Sequence, residues 1–221
     1  MGNHLSVVDY KEANIKELAE EEAVVAFGRR FCSPEERQVV VTDRPMDGHP
    51  VGFKAIDKDD QDVRLFHTQI DIMKDEYFLF DSEGGSVGGI KHKEMSLHLE
   101  TYLHDAEGRV VAVVRKAKFV QAHAEIYCWI LESPAALKGF RSDPFISMKP
   151  HVVVKGNWRA RHMLIYNQAL DVIGKSHRYK SKLRKLLDKD VYSCRVGKNV
   201  DAALVMTLIL IVDEMYQDHK D

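Results

Sequence analysis

Residues 200–216 read VDAALVMTLILIVDEMY, the most hydrophobic stretch of the chain. The charge-free run from Ala202 to Val212 is 11 residues long, set between Asp201 and the pair Asp213-Glu214. As a helix it would cover about 16 Å, half of the roughly 30 Å of bilayer hydrocarbon. No transmembrane span is expected from it. A helix apolar on every side is at home only where protein surrounds it completely. The rest of the chain must therefore supply the surround.

That supply is made of strands. RQVVVTDRPMDGHPVGFKAID contains a short strand at Val39–Val41 and a Pro/Gly loop, and DKDDQD at Asp57–Asp62 is an acidic turn. Two segments then resemble each other: YFLFDSEGGSVGGIKHK from Tyr77 and TYLHDAEGRVVAVVRKAK from Thr101. Each has an aromatic-led strand, a D-x-E-G turn and a Val/Ile strand ending in basic residues, which is hairpin chemistry. HMLIYNQALDVIGKSHRYK from His162 repeats the theme with Asn-Gln-Ala at the turn, and AEIYCWIL, HVVVKGNW and DVYSCRV add further strands. A mainly β chain with one apolar helix at its end predicts a closed antiparallel barrel. Closure removes the exposed sheet edges, and the barrel would enclose the helix.

Ahead of the strands, DYKEANIKELAEEEAVVAF (Asp9–Phe27) reads as an accessory helix with Gly28 as its stop. Its stripe of Ile15, Leu18, Ala19, Ala23 and Val25 is modest, and Glu17, Glu20, Glu21 and Glu22 make its polar side acidic. The expected division is a tail and helix over 1–28, then a barrel domain over 29–221 with its central helix at about 200–216.

The hairpin pair from Tyr77 to Lys118, VVVKGNW at Val152 and the ending DVYSCRVGKNVDAALVMTLILIVDEMY resemble the LURP-one-related family. That family belongs to the tubby C-terminal-like superfamily, together with the phospholipid scramblases. The resemblance runs over roughly residues 38–216, and V-D-A-A-L before the apolar run and D-E-M is its most specific part. It implies a closed barrel of about 12 strands threaded by a hydrophobic C-terminal helix. Gly197-Lys198-Asn199 departs from the Pro-Gly turn of many relatives, and the N-terminal helix has no counterpart.

The chain has 221 residues, 45% of them hydrophobic, which is ample for a core. Its net charge of −2 lacks the basic excess of a dedicated nucleic-acid binder. Cys32, Cys128 and Cys194 are odd in number and form no CxxC pair, and no N-x-S/T sequon occurs. These features point to a reducing, cytoplasmic setting. Met1-Gly2-Asn3-His4-Leu5-Ser6 fits the M-G-x-x-x-[ST] signal for acylation of Gly2.

Catalytic and metal-binding patterns are not found. There is no G-x-S-x-G, H-E-x-x-H or P-loop, and Gly84–Gly89 lies inside a hairpin with no following helix to hold a phosphate. His92, His98 and His104 are interrupted by turn residues. DKDDQDVRLFHT and DSEGGSVGGIKH fail as calcium loops at the glycine and glutamate positions, which counts against a scramblase-like activity. No enzyme activity, cofactor or metal is expected. Trp129, Trp158, Tyr127 and Phe145 read as core residues, and Asp201 as the cap of the last helix.

The functional candidate is KSHRYKSKLRK. Lys175, Arg178, Lys180, Lys182, Arg184 and Lys185 give six positive charges with no acid before Asp188. Such a cluster attracts anionic lipid headgroups at about 1 kcal/mol per basic residue. Tubby domains recognise phosphoinositides, so the resemblance implies the same partner. Lys91, Lys93, Arg115, Lys116 and Lys118 would extend the patch if the hairpin ends converge. The expected function is reversible binding of anionic phospholipid at the inner face of the plasma membrane, aided by a Gly2 acyl chain. The alternatives are a protein partner in signalling or defence, and scramblase-like transport.

Overall fold

The computed structural model describes residues 7–46, 49–58, 64–71, 76–93, 100–117, 124–133, 136–138, 148–157, 162–178 and 191–217. Its strands are β1 (Arg37–Met46), β2 (His49–Asp57), β3 (Arg64–Asp71), β4 (Glu76–Asp81), β5 (Ser86–His92) and β6 (Thr101–Asp105). They continue with β7 (Val110–Lys116), β8 (Ala124–Ile130), β9 (Val152–Asn157), β10 (His162–Asn167), β11 (Val172–Arg178) and β12 (Val191–Val196). Each pairs antiparallel with its sequence neighbours. β1 also pairs with β12, Val39 opposite Cys194, so the ring of twelve closes without an edge.

The three look-alike hairpins owe their turns to one device. Asp81, Asp105 and Asn167 each accept two backbone N–H bonds, from the residues two and four positions on. The residue three positions on is left-handed: Gly84 at φ +83°, Gly108 at +78° and Leu170 at 69°. Glycine adopts that conformation without a Cβ clash, and leucine does so under strain. In each hairpin the register shifts beside the turn, as a bulge requires.

Inside the ring lies α2 (Ala202–Gln217). From Ala202 to Val212 every side chain is at most 5% exposed. The side chains of alternate strand positions, including Val39, Leu103, Val114, Ile126, Val154 and Ile173, close around it as one core. Thr207 is satisfied locally by donating to the Ala203 carbonyl at 2.7 Å. The apolar run therefore has the surround that its composition demands. No helix among the described residues is long and apolar enough to cross a membrane.

The N-terminal segment departs from the expected helix over Asp9–Phe27. Helix α1 covers only Val7–Glu12, and the chain then runs extended, with single 3-10 turns at Glu20–Glu22 and Arg29–Phe31. Long-range partners outcompete helix formation. Lys16 N–H donates to the Val172 carbonyl at 2.8 Å, Leu18 is 1% exposed, and Val24 forms a parallel bridge with Val200. Asp201 completes the splice. One carboxylate oxygen accepts from Leu204 N–H at 3.1 Å as a helix N-cap, and the other from Ala26, Phe27 and Gly28 at 3.1, 2.8 and 3.2 Å. The expected boundary at 28/29 separates nothing: Leu18, Val24, Ala26 and Phe27 pack on the barrel core.

Antiparallel pairing gives the barrel two unlike ends. Even-numbered strands finish at the end where α2 begins, here the proximal end, which the strap of residues 13–33 covers. Odd-numbered strands finish at the distal end, where α2 ends.

Candidate functional site

Every connection leading from an odd strand to the next even strand leaves the distal end. That includes the chain between Arg178 and Val191, which holds most of the basic cluster. The rim around it is built from polar groups on strand ends and the last turns of α2. His92, at the end of β5, reaches Thr101 Oγ1 and Glu214 Oε2, each at 3.0 Å. Tyr77 donates to Glu214 Oε1 at 2.7 Å. Tyr192 donates to Asp213, which is 1% exposed, and Arg178 lies over the Tyr192 ring at 6.0 Å. Lys116 donates to the Met215 carbonyl at 3.2 Å, a cation at the negative end of the helix. Burial pushes the Glu214 carboxyl up, but the bonds from His92 and Tyr77 outweigh it, so its pKa lies below the ordinary value.

This ring ties the helix end to the barrel wall. Its signal in the sequence is Asp213-Glu214 directly after an apolar run: two acids on a helix enclosed by protein must find donors on the strands.

Of the basic cluster, Lys180, Lys182, Arg184 and Lys185 lie outside the described residues, as do Gly2, Lys118, His98, Trp158 and Phe145. The other two members are not surface charges. Lys175 is 9% exposed, donates to the Ala13 carbonyl at 2.9 Å and lies 5.4 Å from the Tyr10 ring centre. Burial, followed by the charge of Arg195, lowers its pKa. Arg178 is 7% exposed and turned to the barrel interior, opposite Tyr192. The charges of β11 thus split between its two faces, and these two help hold the fold together.

The expected extension of the patch also fails. Lys91 pairs with Glu76, Lys93 with Glu100 at 3.2 Å, and Arg115 bridges Glu100 through two nitrogens. Glu100 is 2% exposed and also accepts from Tyr102. Desolvation would raise its pKa, but Tyr102, Arg115 and Lys93 together hold it low. β5 and β7 reach the same end as β11, yet four strand steps separate β7 from β11 around the ring.

Among the described residues, no group of three metal-ligating side chains comes together. His92 lies in the distal ring, and His104 sits near the proximal end with Nδ1 3.2 Å from the Gly108 carbonyl. Burial pushes the Cys128 and Cys194 thiols up to about 12, far from thiolate reactivity. Trp129 is buried, but on the outer wall, with Tyr102, Val113 and Leu131, and it donates to the Met148 carbonyl at 2.8 Å. Tyr127 meets its ring edge-on at 5.9 Å and belongs to the same outer cluster.

A twelve-stranded ring filled by its own last helix defines a class: a closed β-barrel whose interior is occupied by protein. The family model for LURP-one-related proteins matches residues 38–213, and the chain belongs to that family. It is 23% identical over 179 residues to Protein LURP-one-related 15 of Arabidopsis thaliana, covering 72% of this chain and 82% of that one. The X-ray structure of a protein from Arabidopsis thaliana superposes with a TM-score of 0.60 at 19% identity, over 87% of this chain and 99% of that one.

Proposed function

We propose that the protein is a non-enzymatic module that binds anionic phospholipid headgroups, phosphoinositides among them, reversibly and from the distal end of the barrel. The observation that carries this reading is the composition of the β11–β12 connection. Between Tyr179 and Asp190 it holds Lys180, Lys182, Arg184, Lys185 and Lys189 against Asp188 and Asp190. Its two ends are pinned where β11 finishes and β12 starts, at the distal rim. The contact surface excludes Lys175 and Arg178, which are engaged elsewhere, and rests on Lys180, Lys182, Arg184 and Lys185.

The N-terminal segment supports the same orientation. Tyr10 packs on His162 and His177, at the distal halves of β10 and β11. An acyl chain on Gly2 would be tethered through Tyr10, at the distal halves of these strands. One acyl chain and a basic cluster are each marginal, and together they give stable but reversible residence. The scramblase-like alternative would require α2, the filling of the core, to leave the barrel.

Co-sedimentation with phosphatidylcholine vesicles, with and without 5% phosphatidylinositol bisphosphate, tests the proposal. Reversing the four charges with glutamate removes about 4 kcal/mol of attraction at about 1 kcal/mol per residue, near a thousandfold in affinity. Unchanged binding by a folded quadruple variant refutes it. The signalling alternative, a protein partner, is tested by pull-down with residues 1–12 removed. A deletion to residue 28 would strip the Asp201 carboxylate of its partners and report only on folding.

A further inference from the structure

Residues 7–16 lie against the outer wall of β10 and β11, held at one end by Tyr10 and at the other by Lys16, whose N–H donates to the Val172 carbonyl at 2.8 Å and whose ammonium pairs with Asp171 at 2.9 Å. The Tyr10 ring stacks on His162 at 4.4 Å with an interplanar angle of 9°. Its hydroxyl is 3.0 Å from His177 Nδ1. The two imidazoles are 6.2 Å apart, at 67° to each other, so they form two sides of a corner that the phenol fills. Lys175 closes a third side, with its ammonium on the Ala13 carbonyl.

Cationic groups surround this corner. The charges that bear on His177 are those of His162 on β10, Lys175 on its own strand and Lys58 after β2, and all share its sign when it is protonated. From β12, Arg195 faces Tyr10 and Lys175, its guanidinium paired with Glu36 at 2.5 and 2.7 Å. From α1 itself, Asp9 acts on Tyr166 of β10. Tyr10 cannot compensate, because burial pushes its phenol up to about 12 and it stays uncharged.

We propose that Tyr10 seated between His162 and His177 is the catch of an acid-released arm. With His177 neutral the phenol donates to Nδ1 and residues 7–16 stay docked. Protonation of His177 adds a cation to the corner and detaches the arm, while the barrel stays closed. The pKa of His177 lies below the ordinary value near 6.5, first through desolvation, to which the docked Tyr10 contributes. The charges of His162, Lys175 and Lys58 come next; they belong to the barrel and act with the arm docked or free. Docking is therefore at full strength above that value. It weakens as the pH falls below it, because the free arm leaves an imidazole that binds its proton more readily. Release stops at Lys16, bonded to the Val172 carbonyl at 2.8 Å and paired with Asp171 at 2.9 Å, and behind it at Leu18, which is 1% exposed. An arm freed from residue 2 to residue 16 would reach at most about 50 Å. Where Gly2 is acylated, as proposed above, this sets the distance over which the acyl chain searches for a bilayer, and the catch itself does not rest on that reading.

Hydrogen exchange of the full chain at pH 7.5 and pH 5.0, corrected for intrinsic rates, tests the catch. Protection of the peptide spanning residues 7–16 should fall at the lower pH. Protection over residues 203–215 should hold. His177→Asn keeps an acceptor at the Nδ1 position and cannot titrate in this range, so its arm protection should change less between the two pH values than that of the wild type, His162 being the imidazole left against Tyr10. Should that variant misfold, NMR titrations of His177 in the wild type and in Tyr10→Ala decide: a midpoint that rises when the tyrosine is removed supports the catch, and one that does not move overturns it. Arm protection that ignores pH, an equal pH response in His177→Asn, or a midpoint at or above the ordinary value would each overturn it.

Discussion

Replacing Asp201 with alanine tests the splice between strap and helix. Its carboxylate serves four backbone donors at once, at 2.8–3.2 Å, and is 0% exposed. Removing it deletes an N-cap, worth about 1 kcal/mol. It also strands three N–H groups at the proximal end at about 1–3 kcal/mol each if they stay dry. Water entering over the loosened strap would recover part of this, so the expected loss is about 3–5 kcal/mol. Asp201→Asn should fall between, since its single carbonyl oxygen serves the helix or the strap but not both. Urea unfolding followed by tryptophan fluorescence gives the energies, and hydrogen exchange over residues 20–31 should show the strap opening first. A loss below 1 kcal/mol for the alanine variant, with the strap still protected, would refute the claim that this carboxylate joins the two segments.

Two other expectations follow from single features. Leu170 is left-handed at φ 69° and 61% exposed, so Leu170→Gly gives up little burial and should stabilise the chain by about 1 kcal/mol, read as a higher urea midpoint. Glu100 is buried with a lowered pKa, so its stabilisation is complete above the ordinary carboxylate value near 4.3 and lost as the pH falls below it. Glu100→Gln should cost about 2–4 kcal/mol at pH 7, with the gap to wild type narrowing by pH 3 in the same unfolding assay.

The central helix was legible because its residues are apolar on every side, which leaves one physical solution in water. The hairpins were legible because Asp81, Asp105 and Asn167 carry their turns within five residues. The strap was not. Alanine- and glutamate-rich residues 13–27 have the local propensity of a helix, and what overrides it is distant in the chain: Val172, Asn199, Val200 and Asp201. Asp201 was readable as a cap, but its second set of partners exists only once the two ends of the chain meet. The placement of Lys175 and Arg178 was missed for a related reason. Counting charges along β11 takes no account of facing, and the register shift where Tyr166 opposes Val172 makes the alternation harder to read from the sequence. Lys175 and Arg178 fall on opposite faces, and neither is presented to solvent.

Because the first strand hydrogen-bonds to the last, and the filling of the cylinder is synthesised after all twelve strands, the barrel cannot close on its centre before residues 202–217 are made. A nascent chain would hold its strands around an absent centre until the ribosome releases the final helix, a high-contact-order assembly exposed to aggregation meanwhile. A chain cut before Ala202 would therefore lose the centre of its fold, and any segment placed after Gln217 would have to leave the distal mouth unobstructed.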